Sequence, residues 1–108
     1  MFEELIESLK TIGIPVTASA WDVRPDCDNI IVSHSAIDSS LHGDDRMIEQ
    51  APQGYIDLFS PTASREHMQA VQDILNNTEG LAWYLNVVDY EADTRLMHWQ
   101  WAFSTIAW

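Results

Sequence analysis

The last quarter of the chain alternates between apolar and polar positions with the period of a β-strand. Over residues 95–103 one face carries the large apolar side chains, which are Met97, Trp99, Trp101 and Phe103. The segment before it also alternates, and the apolar side chains on one of its faces are Leu81, Trp83, Leu85 and Val87. Such alternation is typical of half-buried strands, and the polar residues 89–94 between the segments are too few for a parallel crossover. The pattern predicts an antiparallel hairpin with its aromatic residues in the core.

Two stretches have the spacing of amphipathic helices. Apolar residues three or four positions apart predict a first helix from about Phe2 to Ile12, and Gly13 is a suitable residue to end it. Ser60 and Pro61 predict the start of a second helix, because a hydroxyl can cap the first turn and proline suits that turn. This second helix ends near residue 77.

Extended segments fill much of the chain between the two helices. Residues 16–21, 29–37 and 54–60 read as strands, and residues 39–53 form a polar arm with a turn at HGDD. The order is a helix, about four strands, a helix and two strands. It predicts a single α+β domain over residues 1–108, with a mainly antiparallel sheet of about five to six strands and two helices packed on one face.

The charge of the chain is strongly negative. It has 17 acidic and 5 basic residues, a formal net charge of −12, and no two basic residues are adjacent. Nucleic acids and anionic membranes are bound through clustered Lys and Arg, so we expect neither direct, sequence-specific DNA or RNA binding nor membrane binding. The lone cysteine, Cys27, fits a reducing compartment, and the acidic N-terminal segment does not resemble a secretory signal. We therefore expect a cytoplasmic protein.

Histidines and aspartates offer one candidate metal site. The nitrogen and oxygen ligands that a hairpin could bring together are His34, His42, Asp44 and Asp45. Their spacing matches no established metal motif. The aspartates of the segment DVRPDCDN lack the alternating ligands and central glycine of an EF-hand calcium loop.

No set of residues has the pattern of a catalytic site. His67 on the second helix and His98 on the last strand are expected to be structural or solvent-facing. The four glycines form no phosphate-binding loop. We therefore expect a protein that is not an enzyme and needs no cofactor.

The arrangement of the segments resembles a known family. The chain opens with a helix that runs into LKTIGIPV, followed by AW, a loop with Asp and Pro, and a strand. An acidic turn then leads into DDRMIEQAPQGYIDLFS, a helix follows SPT, and the chain closes with LAWYLNVVDYEADTRLMHWQWAF. This arrangement, over most of the chain, resembles the small tail-completion proteins of long-tailed bacteriophages, which include tail terminators and tail-to-head joining proteins.

The resemblance implies a structural role in phage or prophage assembly. Such proteins are α+β subunits that assemble, commonly as hexameric rings, on the end of the tail tube, where they stop its growth and receive the head. The implied partners are copies of the chain and other tail or neck proteins, and the implied location is the cytoplasm during assembly and then the virion tail. A ring lumen lined with carboxylates would repel the phosphates of passing DNA. The alternative is that the charge only keeps the protein soluble.

Two segments are candidate interfaces. The polar arm is too long for a tight turn and too polar for a core, so Met47 and Ile48 are expected to anchor it against a neighbour. Trp108 follows the regular alternation and is a candidate interface residue, with capping of its own core as the alternative. A different class of function also stays open, a cellular acidic binding module, including a metal-dependent one that uses His34, His42 and Asp44.

Overall fold

The computed structural model describes residues 2–18, 26–35 and 53–105, and these residues form two helices and a five-stranded sheet. In chain order the elements are α1 (Phe2–Lys10), β1 (Val16–Ala18), β2 (Asn29–Ser35), β3 (Gln53–Ser60), α2 (Arg65–Asn76), β4 (Leu81–Glu91) and β5 (Leu96–Thr105). The α+β class agrees with the prediction. Among the described residues, no helix is long and apolar enough to cross a membrane.

The strands lie in the order β1-β2-β3-β5-β4. The pairs β2/β3, β3/β5 and β4/β5 are antiparallel, whereas β1 and β2 are parallel, with Val16 opposite Ile30. The described sheet is therefore mixed, and β1 and β4 are its two outer strands. The predicted closing hairpin is present as β4 and β5.

One face of the sheet packs against both helices. Leu5 and Leu9 come from α1, and Val71 and Leu75 come from α2. The sheet residues of the same buried cluster are Ile30, Val32, Ile56, Leu58, Trp99, Trp101 and Phe103. The alternation predicted for β5 is confirmed, since its large apolar side chains enter this core. The opposite face holds a smaller buried cluster formed by Ile31, Phe59 and Leu96.

The first helix ends two residues earlier than predicted. α1 stops at Lys10, because the next amides bond three residues back, with Ile12 N donating to Leu9 O at 3.1 Å. This tighter turn ends at Gly13, whose φ of +97° is the left-handed conformation expected of a glycine after a helix.

The second helix begins later than its predicted start. Ser64 rather than Ser60 is the N-cap, and its hydroxyl accepts from His67 N. The chain reverses at Ala63, which has φ +54°, so Pro61 lies in a turn before the helix and not in its first turn. Ser60 holds this turn, since its hydroxyl accepts from Ser64 N at 2.9 Å.

The hairpin strands are longer than predicted. β4 continues to Glu91, and the connection consists of residues 92–95 instead of residues 89–94. Arg95 takes the left-handed conformation with φ +61° and donates from its amide to Glu91 O at 2.7 Å. A tight turn was hard to predict here because glycine and asparagine usually supply this conformation.

Candidate functional site: an open apolar edge strand

The outer strand β4 leaves large apolar side chains in water. Tyr84 is 61% exposed, Leu85 40%, Val88 53% and Tyr90 57%. No other strand of the described residues pairs with the outer edge of β4. The strand therefore offers unpaired backbone groups and apolar side chains at the same place.

A bulge at Asn86 determines which side chains share a face. Leu85 lies opposite Trp101, and Val87 lies opposite the adjacent residue of β5, Gln100. Asn86 is therefore an extra residue in β4, with no residue of β5 directly opposite it. Because side chains alternate along a strand, the extra residue shifts the alternation by one position. The predicted grouping of Val87 with Leu85 is therefore wrong.

Beyond the bulge, Val88 and Tyr90 face the helix side of the sheet, opposite Trp99 and Met97. Before the bulge, Trp83 is half-buried and packs against the core on that side. Val88 and Tyr90 stay more than half exposed, so an apolar strip continues from the core along β4 into solvent.

A row of hydrogen bonds crosses the other face, from β4 over β5 to β3. Asn86 Nδ2 donates to Gln100 Oε1 at 2.7 Å, and Gln100 Nε2 donates to Asp57 Oδ1 at 3.0 Å. The His98 ring also bonds Asp57, with 2.6 Å between Nε2 and Oδ1, and its Nδ1 lies 3.4 Å from Glu91 Oε2. The row ties the hairpin to the middle of the sheet through polar contacts.

Asp57 is the buried acceptor of this row. Its side chain is fully buried, and Oδ1 receives both His98 and Gln100, whereas the buried Oδ2 has no hydrogen-bond partner among the described residues. Phe59 stacks on the His98 ring at 4.3 Å between centroids. The ring is thus held between an aromatic side chain and two carboxylates, an arrangement that positions His98.

A second histidine bonds a second carboxylate at the start of α2. His67 Nδ1 lies 2.5 Å from Asp28 Oδ2, and Ser60 Oγ donates to Asp28 Oδ1 at 2.7 Å. In a Ser-His-Asp hydrolase the serine bonds the histidine, whereas here Ser60 bonds the carboxylate. These hydrogen bonds connect Asp28, just before β2, to the N-terminal cap of α2, and so they hold two parts of the fold together.

The sheet has a shallow cavity of about 320 Å³ at the end of the hairpin far from its turn. Its lining residues are Gly54, Tyr55, Ala82, Trp83, Tyr84, Ala102, Phe103 and Ser104. Small side chains form much of this lining, and the exposed Tyr55 and Tyr84 flank Ala102. None of the hydrogen-bonded histidines or carboxylates lines the cavity.

Most residues that the sequence predicts as interface or metal-binding candidates lie outside the residues that the structure describes. Met47, Ile48 and Trp108 lie outside the described residues, as do His42, Asp44 and Asp45, while His34 lies in β2. Within the described ranges, no three His, Cys, Asp or Glu side chains are grouped as metal ligands. Cys27 is half-buried.

Sequence reasoning missed the residues of the open edge. The segment LAWYLNVVDYE has apolar side chains on both faces, with Val87 and Val88 adjacent. The break in alternation was an available signal of a bulge. Apolar residues on both faces are typical of a strand that is covered on both sides, so they did not indicate an open edge.

Comparison with known proteins gives no family. The chain matches no model of a known protein family and no curated protein.

Proposed function

We propose that this chain is a non-enzymatic assembly protein of a long-tailed phage or prophage. It acts as a tail terminator or head-tail joining component and forms a ring, a hexamer in the commonest case, at the head-proximal end of the tail. The order of segments supports the phage class by resemblance. The open apolar edge of β4 is the observation that carries the assembly role.

An edge strand of this kind calls for a partner. Proteins that stay monomeric protect their sheet edges with short strands, prolines or charged residues, especially lysine. β4 is 11 residues long, has no lysine or proline, and carries charge only at Asp89 and Glu91, near the hairpin turn. The middle of the strand, around Leu85 and Val88, is apolar and exposed. Pairing with another chain would bury these side chains and satisfy the outer backbone groups.

The acidity of the chain suits a ring through which DNA passes. At a net charge of −12, the subunit repels polyanions, and its five basic residues form no cluster in the sequence. A lumen surrounded by such subunits would let DNA slide through without binding it. The partners would be further copies of the chain and proteins of the tail tube and neck, met in the cytoplasm and kept in the virion.

Reconstitution on tail tubes tests this proposal. Tubes assembled in cells whose phage or prophage lacks this gene are mixed with the purified chain and viewed by electron microscopy. We expect added density at one end of each tube, and heads that join tubes only after the chain is added. Val88→Lys should abolish the attachment because it puts a charge into the edge, and Thr62→Lys, on an exposed turn, should not.

Two results would remove the proposal. One is the absence of density at tube ends in mixtures with the folded wild-type chain. The other is a normal yield of tails of normal length, joined to heads, from cells that lack the gene.

A further inference from the structure

We infer that two free subunits pair through their β4 edges, strand against strand and antiparallel, around a two-fold axis at the bulge. The inference goes beyond the proposed function, because it concerns what covers the edge before the subunit reaches any tail. The occupant is a second copy, since the pattern along β4 is complementary to itself.

The apolar side chains of β4 meet each other in one register. When Leu85 lies opposite Val88 of the second copy, Trp83 lies opposite Tyr90 of that copy. All four side chains are on the helix side of the sheet because the bulge shifts the alternation between them. The two-fold axis repeats both pairs, so four apolar cross-strand contacts form. Contacts of this kind are the main stabilising unit between paired strands.

The same register keeps the carboxylates of the two copies apart. Asp89 lies opposite Tyr84 of the second copy, and Glu91 lies opposite Ala82, so no two carboxylates lie directly opposite each other. Like charges in opposite positions destabilise a strand pair. The phenol hydroxyl of Tyr84 can donate a hydrogen bond to a carboxylate of the second copy.

The register also aligns the two bulges. The two-fold axis passes between positions 86 and 87, so the bulge of one copy lies opposite the bulge of the other. A shift of two positions in one direction would put Asn86 opposite Leu85 of the second copy and leave Glu91 beyond the strand. The same shift in the other direction would put Val87 opposite Val88, which lie on opposite faces. The register centred on the bulge is therefore the one that pairs the regular parts of both strands.

A two-fold pair closes after two copies and leaves no β4 edge free. It cannot by itself build a ring, which needs a head-to-tail contact. Because pair and ring would use the same edge, the pair must open before a subunit joins a ring. The pair thus keeps the free subunit from premature assembly.

The pairing should be weak and should strengthen with salt. A contact of one strand with another is at the small end of the interface range, below about 1,200 Å² in total, where association is reversible. Each subunit carries a net charge of −12, and salt screens the repulsion between the two.

Disulfide trapping tests the register. Two chains are mixed, one with Leu85→Cys and one with Val88→Cys, each with Cys27→Ser. The cysteines are kept in separate chains because the bulge leaves Leu85 and Val88 opposite residues only two apart on β5, about 7 Å from each other, which is the limit for a disulfide within one chain. Across the pair they are opposite neighbours. We expect covalent dimers under mild oxidation, at a yield about tenfold above that of a mixture of Tyr84→Cys and Val88→Cys chains, whose new side chains lie on opposite faces.

A third mixture reports the competing contact. Ala18→Cys chains mixed with Val88→Cys chains, each with Cys27→Ser, join β1 of one copy to β4 of another, which is the head-to-tail geometry of the described sheet. Both new side chains lie on the helix side, because Ala18 lies opposite the core residue Val32. Covalent dimers from this mixture at a yield equal to or above that of the Leu85/Val88 mixture would overturn the inference. So would equal yields from the Leu85/Val88 and Tyr84/Val88 mixtures, or no dimer from the first. Thermal unfolding of each reduced variant verifies that it is folded.

The trapping result and the tail result are independent. Subunits that form the trapped dimer but never attach to tail tubes would leave the pairing intact and remove the phage role. Subunits that attach to tubes but give no trapped dimer would do the reverse.

Discussion

At the scale of single residues, Asp57 is the buried carboxylate at the centre of the polar row on the face away from the helices. A buried carboxylate is costly unless hydrogen bonds compensate it, and Asp57 receives both His98 and Gln100 on one oxygen. Its second oxygen is buried without a partner in the described part of the chain, a place where an ordered water commonly lies. Asp57 therefore adds a polar tie from β3 to β5 and, through Gln100, to Asn86 of β4.

Replacing this carboxylate should cost substantial stability. Asp57→Ala leaves the donors of His98 and Gln100 without their acceptor, and we expect a loss of about 2–4 kcal/mol in the free energy of unfolding. Denaturant titration measures it. Asp89→Ala is the matched control, because Asp89 is an exposed carboxylate directly across from His98, and it should change stability by less than about 0.5 kcal/mol. Equal losses from the two variants would contradict the role given to Asp57.

At the scale of elements, the hairpin combines a buried strand with an exposed one. β5 pairs on both sides, with β3 and β4, and its large apolar residues fill the core. β4 pairs on one side among the described strands and carries the bulge. The two strands of one hairpin thus differ in task, since β5 stabilises the fold and β4 presents a surface.

Deletion of Asn86 tests the bulge. Because Leu85 and Val87 already lie opposite adjacent residues of β5, removing the extra residue leaves every other cross-strand pair in place. We expect a folded protein that loses about 1 kcal/mol, the value of the bond from Asn86 to Gln100. Deletion of Gln100 is the contrast: it turns part of β5 to the wrong face and should prevent folding. Circular dichroism and thermal unfolding compare the two, and failure of the Asn86 deletion to fold would contradict the pairing.

Periodicity predicted the elements whose faces differ strongly in polarity. β5 could be read from its alternation because apolar and polar side chains face opposite sides along its length. The start of α2 and the hairpin turn could not, because Ala63 and Arg95 take left-handed conformations that these residue types seldom adopt. The parallel pairing of β1 with β2 depends on tertiary packing, which a three-residue strand does not encode.

The candidate site was harder to predict than the fold. Tryptophans drew attention to the hairpin, yet Trp99 and Trp101 are buried, and the exposed residues are their neighbours on β4. Which strand of a hairpin lies at the edge depends on the strand order of the whole sheet, and this order has no local signal in the sequence. The polar row around Asp57 is likewise assembled from three strands.

At the scale of the whole molecule, the outer edge of β4 has no pairing strand among the described residues. The described helices cover one face, the smaller cluster of Ile31, Phe59 and Leu96 is buried on the other, and the outer edge of β4 carries exposed apolar side chains. The ring and the two-fold pair both require this edge to associate with another copy of the chain.

Sedimentation equilibrium over a range of concentrations measures this association. The wild-type chain should show a mass that rises with concentration above the 12.3 kDa of one subunit, and Thr62→Lys should behave in the same way. Val88→Lys should remain at the mass of one subunit, because a lysine in the middle of the edge opposes strand pairing. A wild-type chain that stays at 12.3 kDa at every concentration, or a Val88→Lys chain that associates as strongly as Thr62→Lys, would show that the β4 edge does not bind another copy.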